Sequence, residues 1–340
     1  MKDAIKIGEK EAGKGKPVYI IAEIGMNHNG QFDLAERHIQ VAAECGVDAV
    51  KFQNFKTELL YCRSFPSFKE RKSMEMPSNW LVPLKQIADE AGVEFLSTPF
   101  DEESADLLDD LGIPCYKVAS CDINNYPLLK YLAKKSKPII VSTGFSDLND
   151  VEKAVIAIRS CGNEQIILLH CVATYPSDIG DMNLKAIDIL HVTFGCPVGL
   201  SDHTLDNKVV PITAVALGAC IIEKHFTLDK HLTGYDHEMS MSPDEMKELV
   251  YNIRLTEKAM GTGIKQPVEA EIKRLKNAQR SLYWNGTYKE GTIVRSDMIL
   301  CLRPADGLKP EMKDEICGFP LKRAVKANGL VRLNEIDHKY

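Results

Sequence analysis

The chain has 340 residues, of which 44% are hydrophobic and 26% charged, and its net charge is −6. This composition is that of an ordinary globular protein, and the length predicts one large domain with a small one, or two of medium size. The acidic balance excludes a broad basic surface for nucleic acid or anionic membranes. An anionic substrate would therefore have to be bound by a few placed Lys and Arg side chains.

The cysteines and the N-terminal segment indicate a cellular compartment. None of the ten cysteines forms a CxxC pair, which argues against a zinc ribbon or a thioredoxin-type site. Residues 1–16 are rich in Lys and Glu without an apolar core, so they do not predict a signal peptide. No apolar run approaches the roughly 20 residues of a membrane helix. We expect a cytoplasmic protein with reduced thiols.

Short β-rich runs alternate with helix-length segments along the first 260 residues. Eight runs predict strands, at residues 18–25, 48–54, 93–99, 115–120, 138–144, 166–172, 197–202 and 220–226. Helical patterns occupy 33–45, with Asp33 as N-cap and Gly46 as its end, and 101–111, 147–160, 206–218 and 243–260. Eight βα units predict an α/β fold, a (β/α)₈ TIM barrel. A doubly wound open sheet is the alternative, but the turn after the first strand reads IAEIGMNHNG and lacks the GxGxxG fingerprint.

The pattern changes after the last helical segment of the barrel. Residues 263–280 are polar and charged and predict a linker with some helix, whereas 281–340 contain short β-like pieces between turn signals such as Asn285-Gly286. We therefore expect a catalytic barrel at 1–262, a linker at 263–280 and a small second domain at 281–340.

Polar side chains follow the apolar part of each predicted strand. They are Glu23, Lys51 with Gln53, Ser97 with Thr98, Lys117 with Ser120, Ser142 with Thr143, His170, Ser201 with Asp202 and His203, and Glu223 with Lys224 and His225. Because the carboxyl ends of all barrel strands meet at one face, this pattern predicts an active site there.

Several chemistries are compatible with these residues. His203 and His225 end neighbouring strands and could bind Mn²⁺, Fe²⁺, Co²⁺ or Zn²⁺, or could act as two hydrogen-bonding groups. Lys51 and Lys117 could bind an anion or form a Schiff base. The hydroxyls of Thr98, Ser120, Ser142 and Ser201 could cradle a phosphate or carboxylate, or could cap the next helix. Glu23 and Glu223 could serve as a base and a hydroxyl-binding group.

The motifs in chain order resemble those of the bacterial sialic acid (nonulosonate) synthase family. They are IAEIGMNHNG, DAVKFQNF, FLSTPF, YKVAS, NNYPLL, PIIVSTG, LLHCVATYP, VGLSDHTLDN, VALGACIIEKHFTLD and LRPADG, and they run through nearly the whole chain. The segment from Arg280 onward is similar to the family's antifreeze-like (SAF) domain, a small β-clip fold.

The resemblance implies condensation of phosphoenolpyruvate with an N-acyl aldohexose. It assigns Lys51, Thr98, Lys117, Ser120, Ser142 and Ser201 to phosphoenolpyruvate, and Glu23 to the attacking water. It assigns Gln53, Tyr175, Glu223 and Asp236 to the sugar. His203 and His225 would bind a divalent metal, Mn²⁺ first and Mg²⁺ or Co²⁺ as alternatives. Arg303 would reach the N-acyl group in the partner's barrel, which implies a domain-swapped homodimer.

The acceptor that this resemblance favours is N-acetylmannosamine, giving N-acetylneuraminate. Ala173 and Tyr235 depart from the usual family pattern, so a synthase of N,N'-diacetyllegionaminate or pseudaminate that uses a 2,4-diacetamido-trideoxyhexose is the alternative. Two hypotheses of other classes are a Schiff-base aldolase and a non-catalytic sugar-binding protein. Neither nucleic acid nor a membrane is an expected partner.

Overall fold

A computed structural model describes residues 3–337 of the chain. The chain forms two compact units, one that ends at Gly261 and one that begins at Thr262. Among the described residues, no helix combines the length and the apolar character that crossing a bilayer requires.

The first unit is a parallel barrel preceded by a hairpin. Its strands are β1 (Ala4–Ile7), β2 (Lys10–Gly13), β3 (Tyr19–Gly25), β4 (Ala49–Asn54), β5 (Glu94–Pro99), β6 (Tyr116–Val118), β7 (Ile139–Ser142), β8 (Ile166–Cys171), β9 (Val198–Asp202) and β10 (Ile221–His225). The sheet order is β5-β4-β3-β10-β9-β8-β7-β6, and every recorded pair is parallel. Because β5 and β6 lie side by side, the sheet nearly closes. The predicted barrel and all eight predicted strands are confirmed.

Helices follow the barrel strands. They are α1 (Phe32–Glu44), α2 (Thr57–Leu60), α3 (Phe68–Ser73), α4 (Leu81–Ala91), α5 (Glu102–Asp110), α6 (Tyr126–Lys134), α7 (Leu148–Arg159), α8 (Ala186–Phe194), α9 (Val209–Ala216) and α10 (Pro243–Met260). The N-cap prediction for Asp33 is wrong, since α1 begins one residue earlier with Gln31 as N-cap. Asp33 lies instead in the first turn, where its negative charge favours the helix dipole.

The side chains of the barrel strands alternate between two environments. Those that pack against the helices belong to one large core, which includes Ile20, Val50 and Leu168. Those that point into the barrel are apolar at the amino-terminal end, as with Ile21, Ile140 and Ile221. Parallel strands buried on both faces read as continuous apolar runs, which explains why the sequence predicted them well.

The hairpin formed by β1 and β2 packs against the amino-terminal end of the barrel interior. Ile5, Ile7 and Ala12 are buried in one cluster with inward-facing residues such as Tyr19 and Ile221. The sequence analysis excluded a signal peptide for residues 1–16 but did not predict this hairpin. Their apolar side chains alternate with Lys and Glu, and this leaves one apolar face on each short strand.

The second unit is small and rich in turns. It contains α11 (Glu269–Ala278), an antiparallel pair of β11 (Ser281–Trp284) and β12 (Ile299–Leu302), and α12 (Lys313–Ile316). Its own core surrounds Trp284, with Leu282, Val294, Ile299 and Val331. Residues 269–278 of the expected linker are thus helical. The likeness of this unit to an antifreeze-like domain stays a prediction.

Replacing Ile7 with Ala should destabilise the barrel by about 2–5 kcal/mol, because it opens a cavity where the side chain has no exposure. Urea denaturation measures the change. Val192→Ala, at a position that is 73% exposed, is the control and should shift the free energy of unfolding by less than about 0.5 kcal/mol. Equal effects of the two substitutions would show that the hairpin does not stabilise the barrel.

Candidate active site

The carboxyl end of the barrel interior is polar. From Glu23 on β3 to Glu223 on β10, buried polar side chains replace the aliphatic ones of the layers below. The inward-facing set is Glu23, Lys51, Thr98, Lys117, Ser142, Cys171, Ser201, Glu223 and His225. The predicted face of the barrel therefore brings together residues from all eight strands.

Two lysines and two glutamates form a buried network at the centre of this layer. Lys51 Nζ lies 2.6 Å from Glu23 Oε2 and 3.7 Å from Glu223 Oε2. Lys117 Nζ lies 3.4 Å from Glu223 Oε1. None of the four side chains is more than 7% exposed. Charges buried to this extent have to be paired, and Glu223 is the group that links both lysines.

The two lysines differ in electrostatic environment. Burial opposes the charge of Lys51, but the carboxylates of Glu223 and Glu23 outweigh it and raise the lysine's pKa. For Lys117, burial and the like charge of Lys51 outweigh the carboxylates of Glu223 and Glu23 and lower the lysine's pKa. Burial also opposes ionisation of Glu223, yet Lys117 and Lys51 lower its pKa to about 2. Glu223 therefore stabilises the fold above its ordinary pKa of 4.5, and this contribution is lost as the pH falls through about 2.

Hydroxyl groups surround the network. Thr98 Oγ1 accepts a hydrogen bond from Lys51 at 3.1 Å, and Ser201 donates to Glu223 at 3.0 Å. Ser120 donates to Cys171 Sγ at 3.4 Å and accepts from the Gly144 amide at 3.0 Å. Among residues 3–337, the buried Ser142 hydroxyl has no partner. Side chains of other residues, such as Asp101, Asn125 and Asp147, cap the helices that follow β5, β6 and β7. Ser142 is thus available to a ligand, whereas Thr98, Ser120 and Ser201 would exchange or add to their present hydrogen bonds.

His203 and His225 lie side by side, with ring centroids 5.5 Å apart. His203 Nδ1 lies 2.9 Å from the Val172 carbonyl oxygen, so this nitrogen carries the proton and Nε2 keeps its lone pair. Burial, assisted by the nearby His225, lowers the pKa of His203 to about 3. The ring is therefore neutral at ordinary pH, which is the form that binds metal ions.

The histidine pair fits a divalent metal only with further ligands. Within residues 3–337, no group of three or more His, Cys, Asp and Glu side chains is arranged to hold a metal ion. His225 Nδ1 is buried and has no hydrogen-bond partner within the described chain, and Asp236 Oδ2 lies 3.8 Å from it. Two imidazoles with open positions are compatible with a metal that also binds water and substrate oxygens.

The other predicted sugar contacts occupy different positions. Gln53 donates to Glu23 Oε1 at 3.0 Å, so it joins the network directly. The Tyr175 ring lies 4.2 Å from that of His203 and is 54% exposed. Arg303 follows β12 in the second unit and is exposed. Its assignment to a partner's site stays a prediction.

Some residues of the predicted polar rim face away from the site. Lys224 lies on the opposite face of β10 from Glu223, and its ammonium donates to Asp202 Oδ2 at 3.0 Å and to the Thr204 carbonyl at 2.6 Å. Asp202 also accepts from the Thr204 amide at 2.9 Å. His170 is bonded to the Met182 carbonyl instead of the site. The strict alternation of strand side chains is the signal that separates these residues from Glu223 and His225.

The buried pair of Lys224 and Asp202 holds the strand ends that carry the histidines. Asp202 lies between Ser201 and His203, and Lys224 lies between Glu223 and His225. Sequence reasoning also missed Cys171 as a residue of the site. Its sulfur lies in the site, 3.8 Å from His203 Nδ1.

Comparison with known proteins identifies the group to which this arrangement belongs. Residues 38–265 match the model of the NeuB family. The chain belongs to this family. N,N'-diacetyllegionaminic acid synthase of Legionella pneumophila is 39% identical over 338 residues, covering 94% of this chain and 95% of the relative. Human N-acetylneuraminate-9-phosphate synthase is 35% identical over 301 residues, covering 84% and 83%.

The solved structures agree with this membership of the NeuB family. The N-acetylneuraminic acid synthetase of Leptospira borgpetersenii, crystallised with citrate, superposes with a TM-score of 0.76 at 36% identity. The match covers 81% of this chain and 95% of that one. The relatives are sugar acid synthases, and they differ in the sugar acid that they are named for.

Replacing Lys224 with Met should destabilise the barrel by about 3–5 kcal/mol, because it leaves the carboxylate of Asp202 buried without its partner. Thermal or urea unfolding measures this. The Asp202→Asn, Lys224→Met double variant should lose less than the sum of the single variants. Lys85→Met, which breaks a more exposed pair with Asp89, should cost less than about 1 kcal/mol. Additive effects at 202 and 224 would show that the pair does not act as a unit.

Proposed function

We propose that this protein is a phosphoenolpyruvate-dependent sugar acid synthase. Its acceptor would be an N-acyl aldohexose, with N-acetylmannosamine as the first candidate and N-acetylneuraminate and phosphate as the products. The observation that carries the proposal is the pair of buried lysines, Lys51 and Lys117, ringed by hydroxyls at the carboxyl end of the barrel. Two ammonium groups and several hydroxyls enclosed in one site can bind a small and highly charged anion once it displaces the paired carboxylates.

In the proposed complex, phosphoenolpyruvate binds to Lys51, Thr98, Lys117, Ser120, Ser142 and Ser201. Without substrate, the carboxylates of Glu23 and Glu223 balance the charge of the two lysines. An incoming trianion would compete with these carboxylates for the ammonium groups. We therefore expect the 2.6 Å contact between Lys51 and Glu23 to loosen when phosphoenolpyruvate binds, which frees Glu23 for the water that takes part in the reaction.

His203 and His225 are the residues that would hold the divalent metal, Mn²⁺ in the first place and Mg²⁺ or Co²⁺ as alternatives. A metal bound there would supply Lewis-acid polarisation of the acceptor's aldehyde oxygen. The protein's own contribution is to keep His203 neutral, with its Nδ1 proton bound to the Val172 carbonyl. Lys224 and Asp202 fix the two strand ends from outside the barrel.

The reaction then requires positioning above all. C3 of phosphoenolpyruvate attacks the aldehyde carbon, water adds at C2, and the tetrahedral intermediate loses phosphate by C–O cleavage. Lys51 and Lys117 hold the phosphate and carboxylate, and Glu23, fixed by Gln53 at 3.0 Å, orients the water. Tyr175, Glu223 and Asp236 would bind hydroxyl groups of the sugar.

A homodimer is part of the proposal, with Arg303 of the partner subunit contacting the N-acyl group. Large apolar side chains exposed beyond the ends of β7 and β8 support a covered surface there. Phe145 is 76% exposed, Tyr175 54% and Ile179 55%. Exposed apolar groups at one end of the barrel are typical of an interface.

A Schiff-base aldolase is the second candidate, and Lys117 is the observation that favours it. Burial lowers the pKa of Lys117, as the amine of such an enzyme requires. Lys51 is unsuited to the role, because its two carboxylates raise its pKa. Borohydride with pyruvate should leave Lys117 unmodified under our proposal, and trapping of a covalent adduct would favour the aldolase.

Phosphate release from phosphoenolpyruvate with N-acetylmannosamine tests the proposal. Activity should disappear in EDTA and return with Mn²⁺. His203→Ala should lower kcat/KM by roughly 100-fold or more, which corresponds to about 2.7 kcal/mol, and should weaken Mn²⁺ binding in calorimetry. His191→Ala, at an exposed position of α8, is the control. Full activity of His203→Ala in EDTA would refute the metal assignment, and no release with any N-acyl hexose would refute the enzyme.

A further inference from the structure

Arg71 joins three loops at the carboxyl end of the barrel. Its guanidinium carbon lies 3.9 Å from the ring centroid of Tyr235, in the loop after β10, and 5.9 Å from that of Tyr61. Its Nη1 lies 3.5 Å from Met26 Sδ, in the turn after β3. Arg71 itself belongs to α3, in the segment after β4. These three strands carry Glu23, Lys51 and Glu223, so Arg71 lies at the same end of the barrel as the candidate site.

Arg71 has unused hydrogen-bonding capacity. Its Nε–H is buried and has no hydrogen-bond partner within residues 3–337, and no carboxylate in that range forms an ion pair with it. The next residue differs, since the Lys72 ammonium lies 2.9 Å from Glu58 and 3.0 Å from Glu75. A guanidinium that no carboxylate neutralises can donate from its terminal N–H groups to a ligand oxygen, whereas its buried Nε–H is covered by the surrounding side chains.

The surroundings of Arg71 are held in place by contacts between the loops. Asn29 donates to the Thr233 carbonyl at 2.9 Å, which joins the turn after β3 to the loop after β10. The Ser73 carbonyl lies 3.2 Å from the position that a Cβ on Gly30 would occupy, so α3 packs closely on the same turn. Tyr235 directly precedes Asp236, whose carboxylate is 3.8 Å from His225. These contacts hold the guanidinium between the turn after β3, the α3 segment and the loop after β10.

We infer that Arg71, held against Tyr235, determines acceptor specificity by binding an oxygen on the half of the sugar chain remote from the aldehyde. This inference rests on the proposed function. If the aldehyde lies at His203 and His225, the remote end of the acceptor extends out of the barrel toward the loops.

The neighbours of Arg71 favour an acyl amide carbonyl over a phosphate as that oxygen. A thioether and two aromatic rings surround the guanidinium, and they offer no additional charge to a dianion. Lys72, the nearest cation along α3, is already neutralised by two glutamates. The methyl of an acetamido group would pack against Met26 and the rings, while its carbonyl accepts from Arg71. The contacts of Arg71 therefore favour the alternative acceptor, a 2,4-diacetamido-trideoxyhexose with a second N-acyl group, over N-acetylmannosamine.

The test compares Arg71→Met with Lys72→Met. The two residues are adjacent cations, and within the described part of the chain Lys72 is paired with glutamates whereas Arg71 is not. Three acceptors are used: a 2,4-diacetamido-trideoxyhexose, N-acetylmannosamine and its 6-phosphate. Arg71→Met should raise KM for the diacetamido sugar roughly 10- to 100-fold and reduce its advantage over N-acetylmannosamine, with KM for phosphoenolpyruvate unchanged. Lys72→Met should leave all three acceptors unchanged. Arg71→Lys, which keeps the charge and removes the planar guanidinium that stacks on Tyr235, should resemble Arg71→Met.

Three results would overturn the inference. The first is that Arg71→Met keeps the acceptor preference of the unsubstituted protein. The second is that the unsubstituted protein prefers the 6-phosphate and that Arg71→Met abolishes this preference. The third is that Arg71→Lys functions fully. Titration calorimetry with the diacetamido sugar separates this inference from the proposed function. If Arg71→Met binds the sugar more weakly but no variant releases phosphate, the assignment of Arg71 stands and the synthase is refuted. If the unsubstituted protein and Arg71→Met turn over the sugar equally well, the synthase stands and the assignment of Arg71 is refuted.

Discussion

The contact between two lysines and two glutamates inside the barrel is the interaction on which the site depends. Four charged side chains with almost no exposure are tolerable only because each faces an opposite charge, and Glu223 serves both lysines. The barrel provides the enclosure for this network. Aliphatic layers below it, sealed by the hairpin of β1 and β2, exclude water from beneath, so the charges can be reached only from the carboxyl end. An anion that enters from this end meets both ammonium groups but has to compete with the two carboxylates for them.

A second buried ion pair works from the outside of the same two strands. Lys224 and Asp202 alternate along the chain with Glu223, His225, Ser201 and His203. One set faces the helices and fixes the strand ends, and the other faces the interior and is available to ligands. Because both sets share one backbone, the spacing of the two histidine rings follows from packing that no ligand touches. Because the outer pair fixes the strand ends, the inner side chains can be polar and still keep their positions.

The sequence predicted the barrel and most of the site because both follow local patterns. Runs such as YIIAEIG are buried on both faces, and polar residues end each of them. The sequence analysis assigned all polar residues at a strand end to the active site. This was wrong for Lys224, Asp202 and His170, because strand side chains alternate and only every second one enters the barrel. The hairpin was missed because Ile5, Ile7 and Ala12 alternate with charged residues and form no continuous apolar run. The stacking of Arg71 on Tyr235 joins positions far apart in the chain, and no local pattern could indicate it.

The most direct test of the account is the affinity for phosphoenolpyruvate, measured by calorimetry without acceptor on the unsubstituted protein and on Lys51→Met and Glu223→Gln. If the lysine–carboxylate network is the anion site, Lys51→Met weakens binding by roughly 100-fold, in line with the loss of a charged hydrogen bond. Glu223→Gln should bind phosphoenolpyruvate at least as tightly as the unsubstituted protein, because it removes a competing negative charge. Undiminished binding to Lys51→Met would contradict the account.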